Sequence, residues 1–493
     1  MSNSICTSNV TSGFIDLATY DEAEKYQYGG DEATAYFVRE TRKATWFTQV
    51  PVILSRSSGT PGFGTQWSVN ISRSGDYLLY TWLRLTTPIV TLTAAAQLLN
   101  LRIHWTSGFM HALIRDCCIT FNDLVAARFD NYHLDFWSAF TTPAGKRNGY
   151  QIMIGNVDDL RQLQITLPAI TLNLPLPFFY ERDSGVALPT AALPYNEMRI
   201  NFDMRDWTEL LEVTDPALQG TGVNPTRPAT AGDVGTVITT TPVLQNVQVW
   251  ANYAIVSNDE RERMGCAPRD ILIEQVQTAP IQPWTPATNP NQQYDIRFAH
   301  SIKVLFFAIR NTTTASDWQN YQTASPIVIG VGPNWLLDPG PADAADPILD
   351  TTLLYENTAR LGNMGSDYFS LIQPWYHAPV IPEETGYHMY SYSLDFFCLD
   401  PMGSTNYGKL TNVSIRLSAS ALAVTAANGT GTAGQGADFA QTFSQVLTAV
   451  DNNIIRISGG AKKRVRPTGS SHCDCMLITM DKECKAYSNM LMC

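Results

Sequence analysis

Charge is scarce in this sequence. Asp, Glu, Lys and Arg make up 16% of the 493 residues, well under the usual quarter of a globular protein. A surface with few charges and many Tyr, Trp, Thr and Asn suits burial against other protein, although an extracellular β protein has a similar composition. Positive charge is scarcer still. The net charge is −12, and the one basic cluster is AKKRVR at Ala461–Arg466. A nucleic-acid binder must neutralise phosphates, so no direct sequence-specific nucleic-acid binding is expected. Cysteine is sparse and odd in number, nine in all. That excludes a disulfide-dense secreted scaffold and favours folding in a reducing compartment. The adjacent pair Cys117 and Cys118 reads as thiols, because neighbouring residues bridge only under strain. No apolar run reaches the roughly 20 residues that span a bilayer, and no basic stretch leads into an apolar core at the start, so no secretion signal is expected.

Chemistry-bearing motifs are also missing. There is no H-E-x-x-H, G-x-S-x-G, phosphate-binding loop or dinucleotide fingerprint. His377, Glu383, Glu384 and His388 come nearest to a metal cluster, but they sit in a Pro-rich loop and at a strand start without ligand spacing. His472, Cys473, Cys475 and Cys484 do not match a standard zinc spacing. No catalytic residue, cofactor or metal is assigned, and an enzyme is not expected.

What the sequence does have is alternation. From Tyr390 to Cys398, Tyr390, Tyr392, Leu394, Phe396 and Cys398 share one face. After a polar turn, Val413, Ile415, Leu417 and Ala419 do the same. A period of two marks strands with one buried face, here a strand–turn–strand unit. Similar patterns predict strands from near Ala35 onward: 44–54 (an edge, because of Pro51), 67–71, 77–85, 99–105, 161–167, 174–180 and 198–204. They resume at 247–255, 271–276, 301–310, 368–374 and 453–458. The run SIKVLFFAIR at 301–310 is nearly all apolar and must be central. Two helices are predicted. One starts at Thr19 as its cap and ends at Gly29–Gly30. The other covers 120–140, capped by Thr120 or Asp123, with an aromatic face.

The order of elements recurs. DYLLYTWLRLTTP at 76–88 resembles HSIKVLFFAIRNTT at 300–313, and each is followed by a Thr-rich turn. The fold class is therefore all-β: two consecutive eight-stranded jelly rolls with short helices in loops. The expected division is 1–30 for an N-terminal arm and short helix, 31–214 for the first roll and 215–242 for a linker or long loop. The second roll follows at 243–460, then a basic, Cys-containing and disordered tail at 461–493.

Long strings carry a resemblance. TSGFIDLATYDEAEKYQYGG at 11–30, AYFVRETRKATWFTQVP at 35–51 and SRSGDYLLYTWLRL at 72–85 resemble the major capsid proteins of iridoviruses, most of all those infecting invertebrates. So do AARFDNYHLDFW at 126–137, YNEMRI at 195–200, NYAIVSNDERERMG at 252–265 and LDPMGSTNYGKLTNVSIRLS at 399–418. The likeness covers residues 9–458. It implies a virion capsid protein, assembled in the host cytoplasm. Homotrimers would form pseudo-hexagonal capsomers, which tile an icosahedral shell around an internal viral membrane and DNA core. It also implies contact with neighbouring capsomers, minor capsid proteins and a penton protein. The loops at 215–242, 311–350 and 421–440 would then supply the outer surface. Phe14, Ile15, Tyr20, Tyr26 and Tyr28, aromatic and apolar groups beside a flexible arm, are the candidate contacts on the membrane side. A carbohydrate-binding tandem jelly-roll surface protein is the alternative.

Overall fold

A computed structural model describes residues 4–193, 196–266, 269–331, 334–338, 340, 344–430, 439–459 and 476–480. Residues up to Trp46 form one compact unit and those from Phe47 onward another.

The first unit is helical where a polar arm was expected. Helix α1 spans Ser4–Ala18 and α2 spans Glu22–Gln27. Thr19 does not start the second helix. Its hydroxyl donates back to the carbonyl of Ile15 at 3.0 Å, closing α1. Asp21 is the cap instead, accepting the Glu24 N–H at 2.9 Å, which a short carboxylate does well at that position.

The second unit is built from sixteen principal strands. The first eight are β1 (Phe47–Ile53), β2 (Gln66–Asn70), β3 (Tyr77–Thr86), β4 (Ile114–Phe121), β5 (Leu124–Asp130), β6 (Thr171–Pro175), β7 (Met198–Met204) and β8 (Gln245–Val256). They make two sheets, ordered β1-β8-β3-β6 and β2-β7-β4-β5. The next eight are β9 (Arg269–Thr278), β10 (Asn291–Ile296), β11 (Ser301–Asn311), β12 (Ile348–Tyr355), β13 (Thr358–Gly365), β14 (His388–Ser391), β15 (Val413–Ala419) and β16 (Phe443–Gly459). Their sheets run β9-β16-β11-β14 and β10-β15-β12-β13. The second order is the first with eight added to every number. Two sheets related in this way, each with its last strand beside its first, are jelly rolls. The double roll expected from the sequence is present.

Pairing is antiparallel throughout, so successive strands reverse direction. All connections leaving odd-numbered strands therefore emerge at one end of each roll. They include 87–113, 131–170 and 205–244 in the first roll, 312–347, 366–387 and 420–442 in the second. The opposite end carries 176–197 and 392–412 and also the tight turns. Asn122–Asp123 joins β4 to β5 with φ of 50° and 64°, and Glu356–Asn357 joins β12 to β13 with 48° and 64°. Two successive positive φ values give the turn that matches strand twist.

That hairpin corrects the helix expected over 120–140. Thr120 lies in β4 and Asp123 in the turn; the helix is α3, Asn131–Thr141, capped by Asp130, which accepts the His133 N–H at 2.8 Å. Other expectations also change. The segment 368–374 is not a strand but helical, a π-helical turn at Tyr368–Ile372 continuing into an α-helix at Gln373–His377. No strand covers 35–46, and β1 begins at Phe47 as the predicted edge strand. Over 161–167 only Thr166–Leu167 is strand, because a short helix occupies Asp158–Arg161. The segment at 174–180 is strand only to Pro175, then a 3₁₀ turn at Phe179–Glu181. Residues Tyr390–Cys398 are strand only to Ser391, since the Ser391 hydroxyl turns the chain by donating to the Ser393 carbonyl at 2.7 Å. Strands β14 and β15 lie in different sheets and do not form one hairpin.

Strand β8, expected to open the second roll, completes the first by pairing between β1 and β3. Residues 215–242 are consequently not a linker between rolls. They belong to the connection from β7 to β8, with Thr226–Pro228 in a small sheet and Ile238 fully buried. Of the tail at 461–493, Met476–Met480 is a strand beside Ile455–Gly459 rather than disordered. AKKRVR and the four tail cysteines lie outside the described residues.

Candidate assembly surfaces

The five residues proposed for membrane-side contact stand on the N-terminal unit. Phe14 and Ile15 are on α1, Tyr20 follows it, Tyr26 is on α2 and Tyr28 caps its end. All are exposed, from 57% for Ile15 to 89% for Tyr26. Val10, Phe14 and Leu17 are spaced as one face of α1 and are exposed too.

A buried cluster joins the two rolls. Strand β11 is buried on both faces. Ile302, Leu305, Phe307 and Ile309 point into the sandwich of the second roll. Val304, Phe306 and Ala308 point out, into a separate cluster with Tyr132, Phe136 and Phe140 of α3. A β-bulge between Ile302 and Val304 resets the alternation there. Phe140 stacks on Phe306 with centroids 5.3 Å apart, and Tyr387 meets Phe136 edge-on at 6.0 Å. This double burial explains why SIKVLFFAIR has no polar face.

Cations reinforce the joint. Trp318, in the β11–β12 connection, lies between Arg205 of the first roll at 3.6 Å and Arg310 of the second at 3.9 Å. Arg182 sits 4.5 Å from the Trp137 ring and 4.6 Å from that of Phe397. It also pairs with Glu274 at 2.9 Å, which in turn holds the fully buried Lys303 at 2.6 Å. Lys303 donates as well to the Cys398 carbonyl.

Beside this joint is a polar cavity of about 300 Å³, lined by His111, Asp135, Arg147, Tyr150, Glu384 and Tyr387. Gln319 donates to Asp135 at 3.1 Å, and Tyr387 donates to it at 3.2 Å. Burial pushes the Asp135 carboxyl up to about 8, so it is largely protonated at neutral pH. Burial drives His111 the other way, to about 3, so it is neutral. A neutral acid and a neutral imidazole can share hydrogen bonds without an unpaired buried charge.

The residues searched for chemistry do not converge. His377 bonds the Leu394 carbonyl at 2.9 Å, and Glu383 pairs with Arg147 at 2.5 Å. His388 meets Ser366 and Asp346, each at 2.7 Å, but both address its Nε2. A nucleophilic relay needs its Ser and Asp on opposite ring nitrogens, and His388 is fully buried. Among the described residues, no three His, Cys, Asp or Glu side chains stand together as metal ligands. Cys117 is buried in β4, and burial pushes its thiol well up, making it inert. Sequence reasoning missed the joint itself, because Phe136 and Phe306 are far apart in the chain. The apolar second face of β11 was the available signal.

The fold agrees with the comparisons. Residues 35–256 match the family described as major capsid protein N-terminus, and residues 260–462 match the large eukaryotic DNA virus major capsid protein. The chain is 63% identical over 464 residues to the major capsid protein of Costelytra zealandica iridescent virus, covering 93% of this chain and 98% of that one. It is likewise 63% identical over 465 residues to that of Tipula iridescent virus, with the same coverage. The solved Faustovirus major capsid protein shares the fold, with a TM-score of 0.66 at 11% identity over 92% of this chain and 98% of that one. The chain belongs to the family of major capsid proteins of iridoviruses and related large eukaryotic DNA viruses.

Proposed function

We propose that this structural capsid protein assembles as a homotrimer of six-cornered outline, the capsomer of an icosahedral shell. One observation carries the reading: a single strand order is used twice in one chain. Three chains then supply six similar rolls, so a three-fold particle can present six similar edges to its neighbours. The first roll runs to Val256 and the second opens at Arg269, supported by the strand pairing and by the two family matches. The long connections, 205–244, 312–347 and 420–442 among them, form the outer surface. The opposite end faces the internal membrane. Phe14, Ile15, Tyr20, Tyr26 and Tyr28 meet the membrane zone or minor capsid proteins, and penton proteins fill the vertices. Assembly takes place in the host cytoplasm. Weak capsomer contacts repeated over a shell give a stable whole while misplaced units can still leave.

Deleting residues 1–28 tests the division of labour. The truncated chain is expected to form trimers but few closed shells when co-expressed with the other capsid components. Loss of the trimers themselves would contradict it. The carbohydrate-binding alternative has no comparable observation behind it.

A further inference from the structure

Each roll carries the same two devices, an outward sheet face and a helix directly after its fifth strand. Among the described residues, the outward side chains of one copy of each are covered within the chain and those of the other are not. The outward face of β11 in the second roll is covered by Phe136 and Phe140 of α3 in the first. In the second roll a helical stretch also follows the fifth strand: the π-helical turn Tyr368–Ile372 runs on into α4, Gln373–His377. Phe136 and Phe140 stand six and ten residues past Asp130, the end of β5. Leu371 and Trp375 stand at the same offsets past Gly365, the end of β13. Phe136 and Phe140 are fully buried, whereas Leu371 and Trp375 are 53% and 71% exposed.

The matching face is half-exposed, with Trp82 and Trp250 partly buried. In the first roll, β3 and β8 take the places of β11 and β16. Leu83, Leu85, Val249 and Ala251 point inward to the core, so Trp82 and Trp250 point out. These two are paired in register and stacked, centroids 5.9 Å apart. Tyr80 lies 6.0 Å from Trp82, and Ile53 of β1 is in register with Trp250. Tyr80 and Ile53 are 42% and 48% exposed. An aromatic sheet face of this kind is the composition of an interface core, not of a solvated surface.

We propose that the Leu371–Trp375 helix of one copy docks on the Tyr80–Trp82–Trp250 face of a second copy, repeating between chains the contact that α3 makes on β11 within the chain. The inference rests on the capsomer reading and deepens it by naming the surfaces. The occupant is a second copy because this chain already contains the contact, built from the same strand and the same helix offsets. The contact is heterologous: each chain offers one helix and one face. Repeating it alternates first and second rolls around a ring.

The test uses the full chain, with Trp375→Glu and Tyr80→Glu at exposed positions. Leu98→Glu, at an 84% exposed site on the short helix Ala94–Leu98, is the control. In sedimentation velocity, wild type and L98E should assemble alike. W375E and Y80E should run as monomers with unchanged near-UV circular dichroism. Mixed in equal amounts, the two should form a two-chain species, since each keeps the patch the other lacks. Hydrogen exchange should be slower at 366–377 and 77–86 in the wild-type assembly than in either monomer. If W375E or Y80E assembles like wild type, or the mixture stays monomeric, the inference is overturned while the trimer reading stands. If the wild type is itself monomeric at every concentration, the trimer reading falls and takes this inference with it.

Discussion

Phe136 of the first roll lies flat on Phe306 of the second, with ring centroids 6.0 Å apart and planes 11° from parallel. Both are fully buried, in a cluster that belongs to neither sandwich core alone. Replacing Phe136 by Ala should cost about 3–5 kcal/mol, the usual range for deleting a buried ring. With Phe306→Ala in a double-mutant cycle, the coupling should be about 0.5–1.5 kcal/mol. Urea unfolding measures both. A cost under about 1 kcal/mol would mean that the rolls are held together elsewhere.

A second prediction concerns Lys303. It is buried in β11 with its ammonium on Glu274, which Arg182 also engages. Removing one partner of a buried pair leaves an uncompensated charge, typically at about 3–5 kcal/mol. Lys303→Met should destabilise by that order, and adding Glu274→Gln should recover part of the loss. Equal stability of the single and double variants in denaturant titrations would show that the carboxylate is satisfied by Arg182 alone.

The joint should also respond to pH. Asp135 faces His111, Gln319, Tyr321, Tyr387 and Glu384, and burial raises its carboxyl to about 8 from an ordinary value of 3.8. A raised carboxyl contributes stability fully below its unfolded value and loses it as pH climbs to the folded one. The buried Asp451 is raised in the same direction, again by burial. His104, His111 and His133 are lowered, to about 4, 3 and 3, by burial. Their contribution is complete above about 6.5 and lost on acidification. Between about pH 6.5 and 8, therefore, these carboxyls dominate, and the melting temperature should fall as pH rises. Asp135→Asn should flatten that slope. An unchanged slope in scanning calorimetry would count against a protonated Asp135.

The β4–β5 turn offers a gain. Asp123 has φ of 64°, a region that costs a non-glycine residue about 1–2 kcal/mol. Its partner Arg199 is at 3.5 Å, an exposed pair of little worth. Asp123→Gly should leave stability unchanged or raise it by up to about 1 kcal/mol. In the matching β12–β13 turn, Glu356→Gly should destabilise, because the Glu356 carboxylate accepts the Thr411 and Asn412 N–H groups at 2.6 and 3.1 Å. Thermal unfolding of the two variants should move in different directions.

Much of the fold was legible locally. Met198–Met204 alternates buried and half-buried along its whole length, and β11 announced its central place by having no polar face. The likeness of 76–88 to 300–313 is a likeness of equivalent strands, β3 and β11. What failed was what local pattern does not encode. Strand β8 alternates well, but nothing in it says that it pairs with β1, some 200 residues earlier in the chain. Over 120–140, Leu124, Val125 and Phe129 happen to fit helical spacing, and Asn122–Asp123 was the turn signal that should have outweighed it. The arm helix α1 was hidden by Ser, Thr and Gly, poor helix formers. The contact between Phe136 and Phe306 depends on tertiary packing, so the sequence marked both as buried without pairing them.

The most direct measurement is the mass and outline of the purified native protein, by light scattering together with electron-microscope averages. A particle with the mass of three chains and six corners is the predicted result: six rolls of one strand order around a three-fold axis. A chain that stays monomeric across salt and concentration would contradict it.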